Sequence, residues 1–383
     1  MAGIYIHVPF CRKACHYCNF HFSTSLALTD SFVTSLLREI DLVAPFTNDT
    51  GKSYLGSQVI ETIYLGGGTP SLLPAPVICT IIDKIKRHFH LEPGAEITLE
   101  ANPDDISIEK LKEWKHAGIN RLSIGVQSFF DEDLKWMNRA HSANQAVQSV
   151  RAAIGEGFNN ITIDLIYGTP ALTDEKWKYN VEQALLLGVP HLSCYALTVE
   201  PSTALDKMIS SNRSPDVDPE KQANQFLLLA EWLETAGYEH YEISNFALPG
   251  MRSRHNSSYW QRKHYLGLGP SAHSFNGISR QWNISNNALY IKSLEHGMLP
   301  SETEMLTAEQ RFNEYVMTSL RTIEGLDIKE VSSQFGEGKS FMLKEAIRKY
   351  VQKGHLEEHG NIYTLTREGM LFADGISSEL FSD

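Results

Sequence analysis

Short apolar, β-branched runs recur along the first two thirds of this chain, separated by amphipathic stretches of helical period. The runs predict strands at Ile4–Val8, Thr62–Leu65, Glu96–Glu100, Arg121–Gly125, Asn160–Ile166 and His191–Ala196. Between and after them, 30–42, 77–89, 108–117, 143–155, 174–187 and 219–236 read as helices, with Ser107 and Thr173 as N-caps and Gly118, Gly157, Gly188 and Gly237 as stops. Strand and helix alternate, which predicts a parallel sheet. Six such units suit either an incomplete barrel or an open doubly wound sheet. Polar residues separate the two, because they gather at the C-terminal ends of many strands: cysteines after the first, Gly66–Thr69 after the second, Glu100 and Asn102 after the third. Gln127, Asp164, Tyr167 and Tyr195 continue the series. An open sheet concentrates such groups at one switch point, whereas a barrel spreads them around one rim. The pattern therefore predicts an α/β fold, a partial (β/α)6 TIM-like barrel.

Beyond residue 300 the pattern changes to helices at 308–322 and 339–353, then two short strands around Gly360-Asn361. This predicts a small winged-helix-like α+β domain at 301–383. The barrel takes 1–240, and 241–300 connects the two. Winged helices often bind DNA, but residues 301–383 carry nine basic against fifteen acidic side chains, and the whole chain has a net charge of −12. That is the wrong sign for phosphate binding, so no nucleic-acid partner is expected. The helix at 339–353 is locally basic and reads as a solvated face. Met1 leads directly into a strand without a charged leader or a long apolar stretch, which predicts a cytoplasmic protein.

Chemistry concentrates in HVPFCRKACHYCNFHF. Cys11, Cys15 and Cys18 are spaced C-x3-C-x2-C, so three thiolates from one loop can hold three corners of a [4Fe–4S] cube. The fourth iron then keeps an open position, as a catalytic zinc does. Structural zinc is the alternative, with His7, His16 or His21 as fourth ligand. Zinc modules, however, usually set two ligand pairs a dozen or more residues apart. Cys79 and Cys194 stand alone in apolar contexts, so no disulfide framework is expected.

The glycines Gly66–Gly68 lack the Lys-Ser/Thr of a P-loop and the G-x-G-x-x-G of a dinucleotide site. They suit close approach of a ligand to backbone, or an ordinary tight turn. Glu100, Gln127, Arg139 and Asp164 together could hold a zwitterionic cofactor bearing a ribose. A second region, HNSSYWQRKHY followed by GLGPSAH, combines histidine, aromatics and cations. Histidine can ligate haem iron and aromatic faces can stack on a macrocycle; a loop covering the barrel is the alternative.

The motifs IYIHVPFCRKACHYC, YLGGGTPS, ITLEANP, LSIGVQSF, NRAH, IDLIYGTP and YALT, in this order, resemble radical S-adenosylmethionine (SAM) proteins of the oxygen-independent coproporphyrinogen III oxidase group. The likeness covers most of the chain. HNSSYW and GLGPSAHSF point to the HemW branch, regarded as haem chaperones. The resemblance implies that Cys11, Cys15 and Cys18 bind a [4Fe–4S] cluster whose open iron takes the amino and carboxylate groups of SAM. It carries SAM contact onto Tyr5, Tyr17, Gly67, Gly68, Thr69, Glu100, Gln127, Arg139, Asp164 and Ala196, and assigns His255 as a haem contact. Haem is then cargo for haem-accepting proteins such as respiratory enzymes or bacterioferritin. Peripheral membrane association and a homodimer stay open. The oxidases extend the motif to a fourth cysteine, where this chain has Phe20, and this departure puts porphyrinogen decarboxylation in doubt.

Overall fold

The computed structural model describes residues 1–44 and 54–382. Six parallel strands form its centre: β1 (Ala2–Val8), β2 (Ile60–Gly67), β3 (Leu91–Ala101), β4 (Arg121–Gln127), β5 (Ile161–Tyr167) and β6 (His191–Ala196). They lie side by side in chain order without reversal. Right-handed crossovers in an unreversed order put all connecting helices on one face. The sheet therefore curls around a lumen as a partial (β/α)6 barrel. Helices Thr29–Val43, Ala75–His88, Ile108–Ala117, Ala143–Gly155 and Asp174–Leu186 form the outer layer. Ser107 and Thr173 cap as expected, accepting from the N–H groups of Lys110 and Lys176. Gly118 closes its helix in the left-handed region at φ 96°.

The strands alternate with period two. Ile4, Ile6, Ile63, Leu65, Leu99, Leu122, Ile124, Ile163 and Leu192 are fully buried in the large hydrophobic core that also takes residues from every one of these outer helices. Their neighbours Tyr5, Thr62, Tyr64, Glu100, Ser123, Asp164 and Ser193 carry polar groups, and several of these meet one another or a common cavity. A TIM barrel ordinarily fills its centre with Val, Ile and Leu. Here the lumen is polar.

The sheet continues past the barrel at both ends. β7 (Glu239–Glu242) and β8 (Asn245–Ala247) add antiparallel strands beside β6. β9 (His264–Leu268) pairs parallel to β1, and β10 (His273–Phe275), β11 (Ser279–Asn283) and β12 (Ser301–Met305) follow antiparallel. The stretch 241–300 thus supplies strands to both edges of a twelve-stranded sheet. These strands mix charged and aromatic residues without an apolar run, so hydrophobic patterning passes over them.

Glu39 ties the β9 side to the outer helices. Its buried carboxylate accepts from the Gly269 N–H at 2.8 Å, the Asn283 amide at 2.6 Å and the Tyr290 hydroxyl at 2.5 Å. Burial raises its pKa against those three hydrogen bonds. The C-terminal unit has its own core around Phe312, Tyr315, Ile347 and Tyr363. Helix Ala308–Leu320 leads into β13 (Leu326–Asp327). Helices Ile328–Phe335 and Glu337–Gln352 then precede β14 (Leu356–His359) and β15 (Ile362–Leu365), which form one small sheet with β13 in a winged-helix-like arrangement. Among the described residues no helix is long and apolar enough to cross a membrane.

Replacing Glu39 by Ala strands three buried donors. Denaturant unfolding should show a loss of at least about 3 kcal/mol, with Glu39→Gln losing less; an unchanged midpoint for Glu39→Ala would contradict the clamp.

Candidate functional site

The loop after β1 carries the three cysteines and is pinned along its length. Cys11 donates its N–H to Ser23 O at 3.0 Å, and Ser23 donates back to Pro9 O at 2.9 Å. His16 N–H reaches Met137 O, and Asn138 Nδ2 reaches Ala14 O at 2.8 Å. Arg12 pairs with buried Asp105 at 2.7 Å. The three histidines beside the thiols are spent on the same task. His7 Nε2 donates to His21 O at 2.8 Å, His16 Nδ1 to Trp136 O at 2.7 Å, and His21 Nε2 to Asn287 Oδ1 at 2.7 Å. Among the described residues no three His, Cys, Asp or Glu side chains converge on a single-ion site. The Cys3His zinc alternative finds no support in this geometry.

The glycines of β2 answer to this loop. A Cβ on Gly68 would lie 2.6 Å from Phe10 O and 2.8 Å from both Phe10 N and Val8 O. On Gly67, whose φ is 102°, it would lie 2.6 Å from the His7 ring. What approaches these glycines is the chain's own cysteine loop, with the Gly68 N–H donating to Val8 O at 2.9 Å. Their backbone also borders the cavity, so the ligand reading and the packing reading coexist.

Cys11, Cys15 and Cys18 open onto a cavity of about 410 Å³ at the C-terminal ends of the strands. The wall includes Tyr17, Gly67, Gly68, Thr69, Glu100, Gln127, Arg139, Asp164 and Ala196, so nine sequence-predicted positions converge with the thiols. Thr69 Oγ1 lies 3.5 Å from Cys11 Sγ and Arg139 Nη1 3.4 Å from Cys15 Sγ. Arg139 also donates Nη2 to Asn102 Oδ1 at 2.6 Å and to Gly125 O at 2.8 Å. Its buried Nε has no partner. Burial opposes the charge, but Tyr17 and Cys15 beside it outweigh that and hold the guanidinium protonated. Burial pushes the Cys11 thiol up to about 11, and also raises Cys18. A metal must therefore displace those protons to bind.

Gln127 enters the wall through a register shift between Gly125 and Gln127 where β4 meets β5, at φ 68°. Such a bulge re-aims a side chain, and the left-handed backbone is strain held by its surroundings. Gly125 leaves the room, since a Cβ there would meet Arg139 and Gln127 at 3.1 Å. Glu100 accepts from Tyr64 OH at 2.8 Å and the Gly67 N–H at 3.1 Å. Burial nonetheless lifts its pKa to about 8, with Asp164 adding to the rise; burial lifts Asp164 itself to about 6.

Two predicted positions fall outside the wall. Tyr5 lies within the lumen, its hydroxyl 3.2 Å from His7 Nδ1, and burial raises its pKa. His255 is 1% exposed, at the opposite end of the lumen on helix Arg254–Trp260. Its Nδ1 is 2.7 Å from Thr62 Oγ1 and its Nε2 2.9 Å from Tyr259 OH, and the ring stacks on Tyr64 at 4.9 Å. Both ring nitrogens are engaged, so this placement offers no nitrogen to an external iron. Burial holds the ring neutral, down to about 3. Sequence reasoning missed Ser123, Gly125 and Glu200 in the wall. For Ser123, a polar residue at alternate positions of an otherwise apolar strand was the available signal.

A radical SAM superfamily model matches residues 5–184, and a HemN C-terminal domain model matches 306–372. The chain is similar to proteins named heme chaperone HemW. That of Mycobacterium tuberculosis is 35% identical over 98% of this chain and 93% of its own length. That of Bacillus subtilis is 33% identical over 98% of each, and that of Escherichia coli 32% over 99% and 97%. Among solved structures, coproporphyrinogen III oxidase (HemN) of Escherichia coli superposes with a TM-score of 0.84 at 23% identity, covering 100% of this chain and 90% of that one. This last likeness speaks for the fold.

Glu100 and Asp164 are protonated more readily in the folded cavity than in an unfolded chain. Between the ordinary carboxylate range near 4.5 and about 8 the native state holds these extra protons, so the contribution of the two groups to stability falls as pH rises. The difference in urea-unfolding free energy between cofactor-free wild type and Glu100→Gln isolates the Glu100 part from the buried histidines, which slope the other way. It should fall by up to about 1.4 kcal/mol per pH unit. A wild-type advantage over Glu100→Gln that stays constant or grows from pH 5 to 8 would refute the assignment.

Proposed function

This chain belongs to the HemW family of radical SAM proteins, and from that membership we propose that it is a haem chaperone, binding haem and passing it to haem-dependent proteins. The observation carrying the reading is near-full-length similarity to several heme chaperones, combined with a three-cysteine loop at a barrel rim. The residues present fit the cofactors that the family implies. All three donors are thiols on one loop, and the Arg139 guanidinium and the Asp164 carboxylate supply charges of both signs to a zwitterion. Glu100 adds a polar group that an ammonium would favour in its ionised form. Cys11, Cys15 and Cys18 would hold the cluster, and Gly67, Gly68, Thr69, Glu100, Gln127, Arg139, Asp164 and Ala196 would surround SAM, with Tyr17 beside the thiols. When bound, the pair supplies an iron with an open coordination position and a reductively cleavable sulfonium.

The chain's own groups prepare that site. Arg139 and Thr69 present donors to the sulfurs, which favours the thiolate. Glu100, at its raised pKa, sits where it can accept from an ammonium or a ribose hydroxyl. Tyr64 fixes its orientation. Phe20, 66% exposed, stands at the rim where the oxidases place a fourth cysteine. That substitution weighs against coproporphyrinogen decarboxylation.

Protein reconstituted without oxygen should carry iron and acid-labile sulfide, and each single Cys→Ser variant should lose most of both. Arg139→Ala should keep the cluster partly but weaken SAM binding about tenfold or more, the loss of a charge-assisted contact. Titration with haem should reach a stoichiometric end point; its absence would end the chaperone reading, and protoporphyrinogen formation in an anaerobic assay would replace it with the oxidase.

A further inference from the structure

The buried placement of His255 leaves the cargo without a seat on that residue. Two cavities lie on the other side of its helix, where the barrel floor meets the C-terminal unit. The first, about 230 Å³, is walled by Tyr241, Trp260 and Tyr315 with Arg252 and Arg262. The second, about 480 Å³, is walled by Phe275 and Phe335 with Arg262 and Arg311. Gln261, Arg262 and Glu330 line both. The Arg262–Glu330 ion pair, at 2.7 Å, stands at their junction beside Gln261, with the guanidinium 4.2 Å over the Tyr315 ring.

Arg262 is set there at a cost in backbone strain. It follows the last turn of helix Arg254–Trp260 at φ 54°, a left-handed position that Gly or Asn ordinarily fills. Ser257 Oγ in the first cavity and Arg311 Nε in the second are buried without partners. Glu324 and Glu330 in the same walls pair with Arg252 and Arg262, and Glu314 with Arg280, which leaves Arg311, among the described residues, as the lining arginine without an ion pair. Aromatic walls, exchangeable arginine pairs and two unpaired polar atoms suit a flat, apolar ring bearing carboxylates on one edge.

We infer that this floor groove is the seat of the porphyrin cargo, with propionates taken by Arg262 and Arg311 once Arg262 leaves Glu330. The inference rests on the chaperone reading and locates its cargo. It puts haem at the end of the barrel away from the cysteines. It also gives the C-terminal unit a direct part, through Arg311, Tyr315 and Phe335. No histidine, cysteine or methionine lines either cavity, so recognition here reads the ring and its carboxylates and does not require an iron ligand.

Binding of Fe(III) protoporphyrin IX, metal-free protoporphyrin IX and its dimethyl ester to the full chain tests this, followed by fluorescence quenching. Both free acids should bind, and the ester at least about tenfold more weakly, for want of charge-assisted hydrogen bonds. Arg262→Gln should cost a similar factor. So should Gln261→Trp, at an exposed position where it blocks the junction without disturbing the fold. SAM binding should stay at the wild-type value in both, and the thermal midpoint in Gln261→Trp, whereas Arg262→Gln also gives up its pair with Glu330. Full affinity in both variants, or equal binding of ester and acid, overturns the groove while leaving the chaperone reading intact. Failure of the unaltered protein to bind any of the three overturns that reading, and the groove with it.

Discussion

The contact between Gly68 and the backbone of Phe10 governs the arrangement of this molecule's chemistry. A β-carbon at that glycine would sit 2.6 Å from a carbonyl oxygen, closer than any real pair of such atoms. Only a glycine lets the end of β2 and the start of the cysteine loop lie backbone to backbone, and only then can Gly68 donate to Val8. That contact places Cys11 under Thr69 and turns the rest of the loop across the barrel mouth, where Met137, Trp136 and Asn138 catch it from beyond β4. Three thiols on a long loop would otherwise sample many geometries. Here the loop's own amides and histidines are consumed in fixing one.

The second constraint is electrostatic. A lumen built from Glu100, Asp164, Ser123, Tyr64 and Arg139 cannot be stabilised as an oil-filled barrel is, because unpaired buried polar groups cost free energy. The structure answers with neutralisation and sharing. Glu100 and Asp164 hold protons more tightly than exposed carboxylates do, and Arg139 distributes its donors over a sulfur, an amide and a carbonyl. The Arg139 Nε remains buried without a partner. The proposed affinity for a zwitterion would draw on the same side chains that make the cavity costly to bury.

Much of this was legible in the chain. The six strands and their helices follow from period and caps, and the polar strand ends pointed to a barrel before any coordinates. The cysteines and nine of the eleven positions proposed to contact a cofactor or haem reach one cavity. The misses have physical causes. β9–β12 carry too little apolar sequence to announce themselves, yet they pair because β1 presents a free edge. The glycine run signals close approach without saying what approaches. His255 sits in a motif rich in ligand-like residues, but on a seven-residue helix the face that points inward depends on where Glu96 accepts from the N–H groups of Arg254 and His255. Sequence periodicity over so few residues cannot fix that rotation.

That orientation bears on how a histidine substitution should be interpreted. The His255 ring stacks on Tyr64, and Tyr64 donates to Glu100, so one aromatic ring joins the floor of the lumen to the wall of the cysteine cavity. Removing the imidazole opens a void beneath Tyr64, strands the Thr62 and Tyr259 hydroxyls, and loosens the residue that orients Glu100. A loss of haem binding after such a change is therefore the result expected of a packing residue as much as of an iron ligand. The two differ in what accompanies the loss. A ligand's removal alters the haem spectrum and leaves the cavity alone. Removal of this ring also disturbs Glu100 and with it the SAM binding proposed for that residue, because lumen, floor helix and cavity wall are joined by one ring stack and its hydrogen bonds.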